Sequence, residues 1–507
     1  MGRYLLGVDA GSTVTKAVLF DLSGRETGRA ARRVPHSYPR PHHVERDQDE
    51  LWEVTCAVIR EAVAAAGARP EDIAAVAVTS HGDGVYLVDE HGRPTRPGIL
   101  SLDTRAAGLV AEWERTGRSD AVLPVSGQKP WPGSPVSVLA WLLANEPDVL
   151  ARTAYALPGK DAIKQRLTGV FSTDPTESSL SFTNVRTQRY DEETLRVFGV
   201  EELFRLLPPV VPSDRVVGEV TAAAAEHCGL APGTPVASGA HDVDCSAIGV
   251  GAVRPGQLAI IAGTFSINEV ISDTVRVDPR WNARNFVVPG QWMNQSLSPS
   301  SATNLEWFAT RLAGHDFAAG RAAGDPFAFV EEDLRAVESS PSDLVYLPFL
   351  YGSPYPVDAS AAFVGLRGWH ERGHLVRAVM EGVAYNHRHH VDALREGFQV
   401  TDVRLTGGAV NSARWVQMFA DTLGTPVHVS RTREAGALGS AMLAGIAVGA
   451  FADLAEAAEA MTERPEPCEP SPGGVARQEA GYRRYRRVVE AMTGLWADTG
   501  LWEEQAP

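Results

Sequence analysis

The sequence predicts two α/β domains facing a shared cleft. Strands and helices alternate in two halves of the chain, each half carries a Gly/Thr-rich turn at a strand end, and 507 residues suffice for more than one core. With 44% hydrophobic and 22% charged residues the composition is that of ordinary globular domains. A formal charge of −16, from 47 Lys+Arg against 63 Asp+Glu, argues against a general nucleic-acid or anionic-membrane binder, while leaving room for a local basic pocket. Cys56, Cys228, Cys245 and Cys468 lie far apart with no CxxC pair, which indicates neither a disulfide framework nor a structural zinc and suits a reducing, cytoplasmic setting. Asp9 interrupts the first apolar run, so no signal-peptide core is expected, and the Gly/Ala-rich stretch 435–452 reads as a buried helix that others approach closely rather than a membrane span.

Taken in order, Tyr4 to Val8 reads as a buried strand, Asp9-Ala10-Gly11-Ser12-Thr13 as a tight turn, and Val14 to Asp21 as the returning strand of a hairpin. A helix over Gln48 to Ala66, a strand over Ile73 to Thr79 and a hairpin return through Val85 to Asp89 follow. The second half repeats the order, with strands at Val236 to Ser238 and Gln257 to Ala262 flanking a helix at Ser246 to Gly249. Strands near Leu344 to Leu347 and Val403 to Leu405 then alternate with helices at His374 to Gly397 and Ala413 to Leu423. The domain boundary is expected between Gly239 and Pro255, giving 1–247, 248–455, and 456–507 as a linker (Pro465 to Gly474) with a last helix, Ala476 to Leu495.

Three Gly-rich loops carry the chemistry. In Asp9 to Thr13, with Lys16, glycine lets backbone N–H groups approach a phosphate, hydroxyls add donors, and the Asp suits Mg²⁺ held through water. Ala262-Gly263-Thr264-Phe265-Ser266 repeats that chemistry, and Thr406-Gly407-Gly408-Ala409-Val410-Asn411-Ser412 ends a strand before a helix. Together they suggest a nucleotide held between the domains.

Gly7-Val8-Asp9-Ala10-Gly11-Ser12-Thr13-Val14-Thr15-Lys16 resembles the first phosphate motif of the FGGY carbohydrate kinases. Ala361 to Leu366 followed by His374 to Glu381 resembles that family's C-terminal signature, Gly407-Gly408-Ala409 with Asn411 and Ser412 its adenosine loop, and Glu434 to Ala441 is also family-like. The resemblance implies two RNase H-like (actin-like ATPase) domains with an interdomain catalytic cleft, and an ATP- and Mg²⁺-dependent transfer of the γ-phosphate to a small ketose, a pentulose such as xylulose or L-xylulose being favoured. It implies Asp242 as the general base, Asp9 at the metal, Gly11, Ser12, Thr13, Lys16, Gly263 and Thr264 at the phosphates, and Gly407, Gly408, Asn411 and Ser412 at the adenosine. Asp242 also suits the N-cap of the helix that follows, and Asp244 is its nearby competitor as base.

The sugar side departs from the xylulose kinase pattern. Where those enzymes carry Ser-Gly-Gln-Met-His-Gly, this chain has Thr79-Ser80-His81-Gly82-Asp83-Gly84, placing Gly82 at the methionine and Asp83 at a sugar-contacting histidine. Gly-Asp-Gly is more like erythritol kinases, whereas Leu347 to Ser353 and Asn304 to Phe308 resemble the L-xylulose kinase branch, so a polyol kinase is the alternative. Asp103 and Arg105 match the family's Asp-x-Arg near the sugar, and Trp131 suits stacking on a sugar face; a surface ion pair and a core aromatic are their plain structural readings. His387, His389 and His390 crowd one helix without a completing ligand, and Arg483, Arg484, Arg486 and Arg487 read as a solvated helix face. An actin- or Hsp70-like ATP switch and a silent sugar sensor are the rivals from other classes. A small-molecule partner is expected, with neither nucleic acid nor membrane, and a homodimer is allowed.

Overall fold

The computed structural model describes residues 3–314, 328–338, 340–355, 357–430, 432–463 and 466–498. Pro465, at the head of the expected linker, and residues 499–507 lie outside them. The chain divides into two compact units: Met1–Pro255 with Ile271–Asn294 and Glu434–Thr462, and Gly256–Val270 with Gln295–Arg433 and Glu463–Pro507.

In the first unit, β1 (Tyr4–Ala10), β2 (Val14–Asp21), β3 (Glu26–Arg33), β4 (Ile73–Ser80), β5 (Val216–Glu219) and β6 (Pro235–Ala237) form one sheet in the order β5-β6-β4-β1-β2-β3. β1 and β2 make the expected antiparallel hairpin, and β4 joins β1 in parallel. Leu6, Val8 and Ala10 point into a core shared with Trp52, Cys56 and Ile59 of the Gln48–Ala65 helix. Gly7, on the opposite face of β1, meets the Ala435–Ala447 helix so closely that a Cβ would sit 1.9 Å from the Ala437 carbonyl oxygen. Gly439 and Gly249 make equivalent close approaches, at 1.9 Å to Cys245 O and 2.0 Å to Ala435 O, between that helix and the Asp242–Gly249 helix. The small residues of 435–447 thus serve backbone packing inside the unit.

One expectation fails here. Tyr86–Val88 does not return along β4 but pairs antiparallel with Tyr155–Leu157. The reason is local: Asp83 and Gly84 adopt positive φ (58° and 69°), and this turn carries the chain out of the sheet.

The second sheet has the order β9-β10-β8-β7-β11-β12, with β7 (Gln257–Ala262), β8 (Ser266–Ser272), β9 (Asn282–Asn285), β10 (Trp292–Ser298), β11 (Asp402–Gly407) and β12 (Val427–Val429). The chain passes between the two units within β8 and β10. β7 and β8 form an antiparallel hairpin and β11 joins β7 in parallel, the pattern of β1, β2 and β4 again. The helices Arg372–Gly397 and Ala413–Leu423 belong to this unit, as does the last helix, which starts earlier than expected, at Pro472. Ser471 caps it by accepting from Gly474 N, and Pro472 sits at its first turn, where a missing N–H costs nothing. Among the described residues, no helix is long and apolar enough to cross a membrane.

Candidate active site

In the first unit the Asp9–Thr13 turn is closed by Gly11 N–H donating to Val14 O at 3.0 Å. Arg46, 1% exposed, reaches it from the far side and donates to the carbonyls of Gly11 (3.3 Å) and Ser12. With the Gly11 amide and these carbonyls engaged inside the protein, the Ser12 and Thr13 groups are the turn's donors toward an anion. Asp9 lies opposite Lys16 across the hairpin, and Lys16 Nζ is held 2.7 Å from Glu434 Oε2, with Arg29 at 3.4 Å from the other oxygen. Burial pushes the Asp9 carboxyl up to about 7; Lys16 opposes the rise, and the charges of Asp242 and Glu434 add to it.

The β1–β4 register sets Ala10 beside Ser80, so the His81–Gly84 turn starts next to the Asp9 loop, tied by His81 N–H to Ala10 O at 3.2 Å. His81 is buried with Nε2 3.1 Å from the Tyr86 hydroxyl; burial, helped by the Arg46 charge, pushes its imidazole down to about 3, so it is neutral. Asp83 holds a left-handed conformation that Asp tolerates better than most residues. One carboxylate oxygen lies 4.0 Å from Arg284 Nη2, and the other is buried with no hydrogen-bond partner in the protein. Burial raises the Asp83 pKa, while Arg284, His241 and Trp131 pull it back. Arg284 is itself fixed by donating through Nε to Gln128 Oε1 at 2.9 Å. Trp131 stands on the 131–134 turn, which accepts from Gly84 N–H at Gly133 O (2.9 Å). Its side chain is 39% exposed, which excludes the core-aromatic reading.

Asp103 and Arg105 are not a surface ion pair, because both side chains are buried. Asp103 accepts from Val44 N (2.6 Å) and from Arg105 Nε and Nη2 (2.9 and 2.8 Å), and Arg105 also donates to Glu45 (2.7 Å) and lies over Trp141. These polar contacts tie the 42–46 and 100–105 segments together and reach neither Asp83 nor Asp242.

Asp242 is the first residue of its helix, and the N-cap is His241 rather than Asp242. The Asp242 carboxylate is engaged by the Val243 backbone amide, and its side chain keeps 32% of its surface open. Asp244, in contrast, has 2% exposure. His241 lies between them, Nε2 3.2 Å from Asp242 and Nδ1 3.4 Å from Asp244. Burial raises the Asp242 pKa, with Asp83 adding to the rise and His241 and Arg284 opposing it. Beneath lies a buried charge cluster, Lys160–Asp161 at 2.8 Å, Lys160–Asp174 at 3.1 Å and Lys164–Asp161 at 2.6 Å, beside Glu177, which burial pushes up to about 8.

In the second unit, β7 and β11 pair with Ala262 beside Gly407, which brings the Gly263-Thr264 and Gly407-Gly408 loops together at the C-terminal ends of two adjacent central strands. Gly407 is at φ 95°, and a Cβ there would sit 2.5 Å from Ala262 O, so both conformation and space require glycine. Thr264 O and Gly263 O accept from Ser301 and Ala302 amides. Asn411 Nδ2 donates to Gly408 O (3.1 Å), while Ser412 caps the Ala413–Leu423 helix and donates to Glu331 (3.1 Å). His387 and His390 are buried among Ser266, Asn268, Ser296, Ser298 and Ser301 as hydrogen-bonded core residues, and among the described residues no cluster of three His, Cys, Asp or Glu could hold a metal ion. Arg46, Gln128 and Arg284 act through partners distant in the chain and carry no local signature; His241 acts on its near neighbours Asp242 and Asp244, but the room for its ring comes from the distant Gly82.

The FGGY family of carbohydrate kinases matches this chain twice, its N-terminal domain at residues 4–249 and its C-terminal domain at 258–448. The chain belongs to that family. This FGGY kinase is therefore an ATP-dependent carbohydrate kinase acting on a small-molecule sugar. Its relatives include a "Probable L-xylulose kinase" of Pasteurella multocida (strain Pm70), 32% identical over 97% of this chain and 100% of the relative. The "L-xylulose/3-keto-L-gulonate kinase" of Escherichia coli (strain K12) is 32% identical over 98% and 99%. Among solved structures, xylulose kinase from Rhodospirillum rubrum superposes with a TM-score of 0.87 at 29% identity, covering 97% of the kinase and all of that chain. The two-domain α/β fold of the FGGY kinases is thus the fold of this protein.

Proposed function

We propose that this kinase transfers the γ-phosphate of ATP to a hydroxyl of a pentulose, L-xylulose or xylulose, with Asp242 as general base. The observation that carries the assignment of the base is the contrast between the two acidic side chains of one helical turn: Asp242 is open on one side, while Asp244 is enclosed against His241. As the substrate oxygen bonds to the γ-phosphorus, Asp242 takes its proton, and the bond to the β,γ-bridging oxygen breaks with its electrons leaving on ADP. Gly11, Ser12, Thr13, Lys16, Gly263 and Thr264 hold the phosphates, and Gly407, Gly408, Asn411 and Ser412 the adenosine side. On this reading residues 1–247 supply the sugar side and the base, and 248–455 the adenosine side.

Mg²⁺ fits Asp9: the carboxylate is buried with two further acidic groups acting on it, and no Cβ at Gly436 crowds its Oδ2, from which that position lies 3.2 Å. A magnesium ion bound mainly by nucleotide oxygens and water needs little more from the protein, and it would offset charge on the phosphates. On the sugar side, the unpartnered oxygen of Asp83 accepts from acceptor hydroxyls, the Arg284 charge opposes the burial-driven rise of its pKa, and Trp131 offers an apolar face; His81 and Gly82 shape the turn, and Asp103 and Arg105 hold the neighbouring 42–46 and 100–105 segments. The names of the relatives support the pentulose, and the Gly82-Asp83-Gly84 turn supports a polyol as second reading.

The test is ADP release with Mg·ATP across L-xylulose, D-xylulose, L- and D-ribulose, erythritol, glycerol and 3-keto-L-gulonate. A pentulose is expected to give the fastest turnover. Erythritol in that place would favour the polyol reading, and silence across the panel with ATP still bound would overturn the proposal.

A further inference from the structure

His241 occupies space that exists only because residue 82 is glycine. A Cβ on Gly82 would lie 1.9 Å from His241 Nε2 and 2.4 Å from its Cδ2, so no side chain at 82 coexists with the ring where it stands. The backbone is pinned as well: His241 N–H donates to Thr176 Oγ1 (2.9 Å), which in turn donates to Asp174 (2.8 Å). The ring is 4% exposed with the rest of its residue and bridges two carboxylates of unequal exposure, one enclosed and one open. Nδ1 of the ring lies 3.4 Å from the enclosed Asp244 without a hydrogen bond, and Nε2 lies 3.2 Å from Asp242, so the ring stands as a charge between the two carboxylates.

The charges around the ring are mainly negative. Asp242 and Asp244 face it from its own helix, Glu177 and Asp174 from the 174–178 segment, and Asp83 from the turn at Gly82, while Lys160, Arg284 and neutral His81 complete the surroundings. Burial alone would disfavour a charged ring, yet the pair with Asp244 and the charges of Asp242 and Glu177 outweigh it and lift the imidazole to about 9.

We propose that His241 is the positioning residue of the base: it fixes the rotamer of Asp242 and sets a positive charge 3.2 Å from that carboxylate, with Gly82 providing the room. This rests on Asp242 being the base, and it adds a residue pair, His241 with Gly82, that determines how the base is presented to the acceptor.

The experiment compares His241→Gln, Gly82→Ala and Asp242→Asn in the full chain, with the panel acceptor that the wild type turns over fastest. His241→Gln is expected to lower kcat by about 30-fold with KM for ATP within about twofold, because only the base is disturbed. The acid limb of kcat/KM should move up by about one pH unit, since removing a neighbouring cation disfavours the carboxylate. Gly82→Ala should shift both in the same direction by displacing the ring. Wild-type kcat with an unmoved limb in His241→Gln, or a loss of kcat without the shift, overturns the inference even when Asp242→Asn is inactive. If His241→Gln fails to fold, Gly82→Ala decides by the same two readouts. An active Asp242→Asn instead overturns the assignment of the base on which the inference rests.

Discussion

Lys16 and Glu434 are 418 residues apart in the chain and 2.7 Å apart in the fold. Glu434 immediately precedes the helix whose backbone lies against Gly7, so the packing of that helix on β1 also fixes where the Lys16 ammonium stands, beside Asp9. Lys16→Met is expected to weaken Mg·ATP binding by about tenfold in Kd, equivalent to ~1.4 kcal/mol. Since Lys16 lowers the Asp9 pKa, the same variant should need a higher pH for half-maximal Mg·ATP binding. Titrating nucleotide binding by calorimetry between pH 6 and 9 checks both.

Asp83 carries a buried oxygen without a protein partner, and its charge also raises the pKa of Asp242. Asp83→Asn should therefore raise KM for the sugar by about tenfold, the order of one lost charge-assisted hydrogen bond, with KM for ATP unchanged. The acid limb of kcat/KM should move to lower pH. Steady-state kinetics across pH reads both effects, and an unchanged sugar KM would remove Asp83 from the acceptor site.

Asp9 and Glu177 have folded pKa values of about 7 and about 8, above the value near 4 that carboxyls have in an unfolded chain. The folded protein holds their protons to higher pH than the unfolded one. Their contribution to stability is thus fully present below about pH 4 and is lost as pH rises through about 7 to 8. Glu177→Gln, which cannot ionise, should lose less stability than the wild type between pH 5 and pH 8 in urea unfolding.

Asp174 joins Lys160, accepts from Ser213 and Thr176 side chains, and caps the 175–178 turn, all with no solvent exposure. Asp174→Ala leaves a buried lysine with half its counter-charge and should destabilise the protein by about 3–5 kcal/mol. Denaturant unfolding followed by circular dichroism measures it.

How much of this was legible in the sequence depends on the range of the interaction. The β1–β2 hairpin, the helix at 48–65 and the strands bearing Gly263 and Gly407 announce themselves through contiguous apolar runs and Gly-rich ends, and they appear as read. The start of the last helix is marked in the sequence by Ser471-Pro472, a cap followed by proline. The apolar run at Tyr86–Val88 reads as a hairpin return, and the left-handed Asp83-Gly84 pair sends it elsewhere. Trp131, Asp103 and Arg105 gave no clue to burial, since exposure is decided by segments that fold over them. Arg46 on the Gly11-Ser12 carbonyls, Arg284 beside Asp83 and the ring of His241 over Gly82 are all pairings at long sequence separation. No periodicity encodes such contacts.

The central claim is that Asp242 takes the proton of a pentulose hydroxyl. Its most direct test is ADP release from Mg·ATP and L-xylulose by the wild type and by Asp242→Asn, with ATP binding measured on both. The account predicts sugar-dependent turnover in the wild type, a loss of about 10³-fold in kcat in the variant, and ATP affinity retained within about twofold. Turnover in Asp242→Asn within about tenfold of the wild type would contradict it and move the base elsewhere.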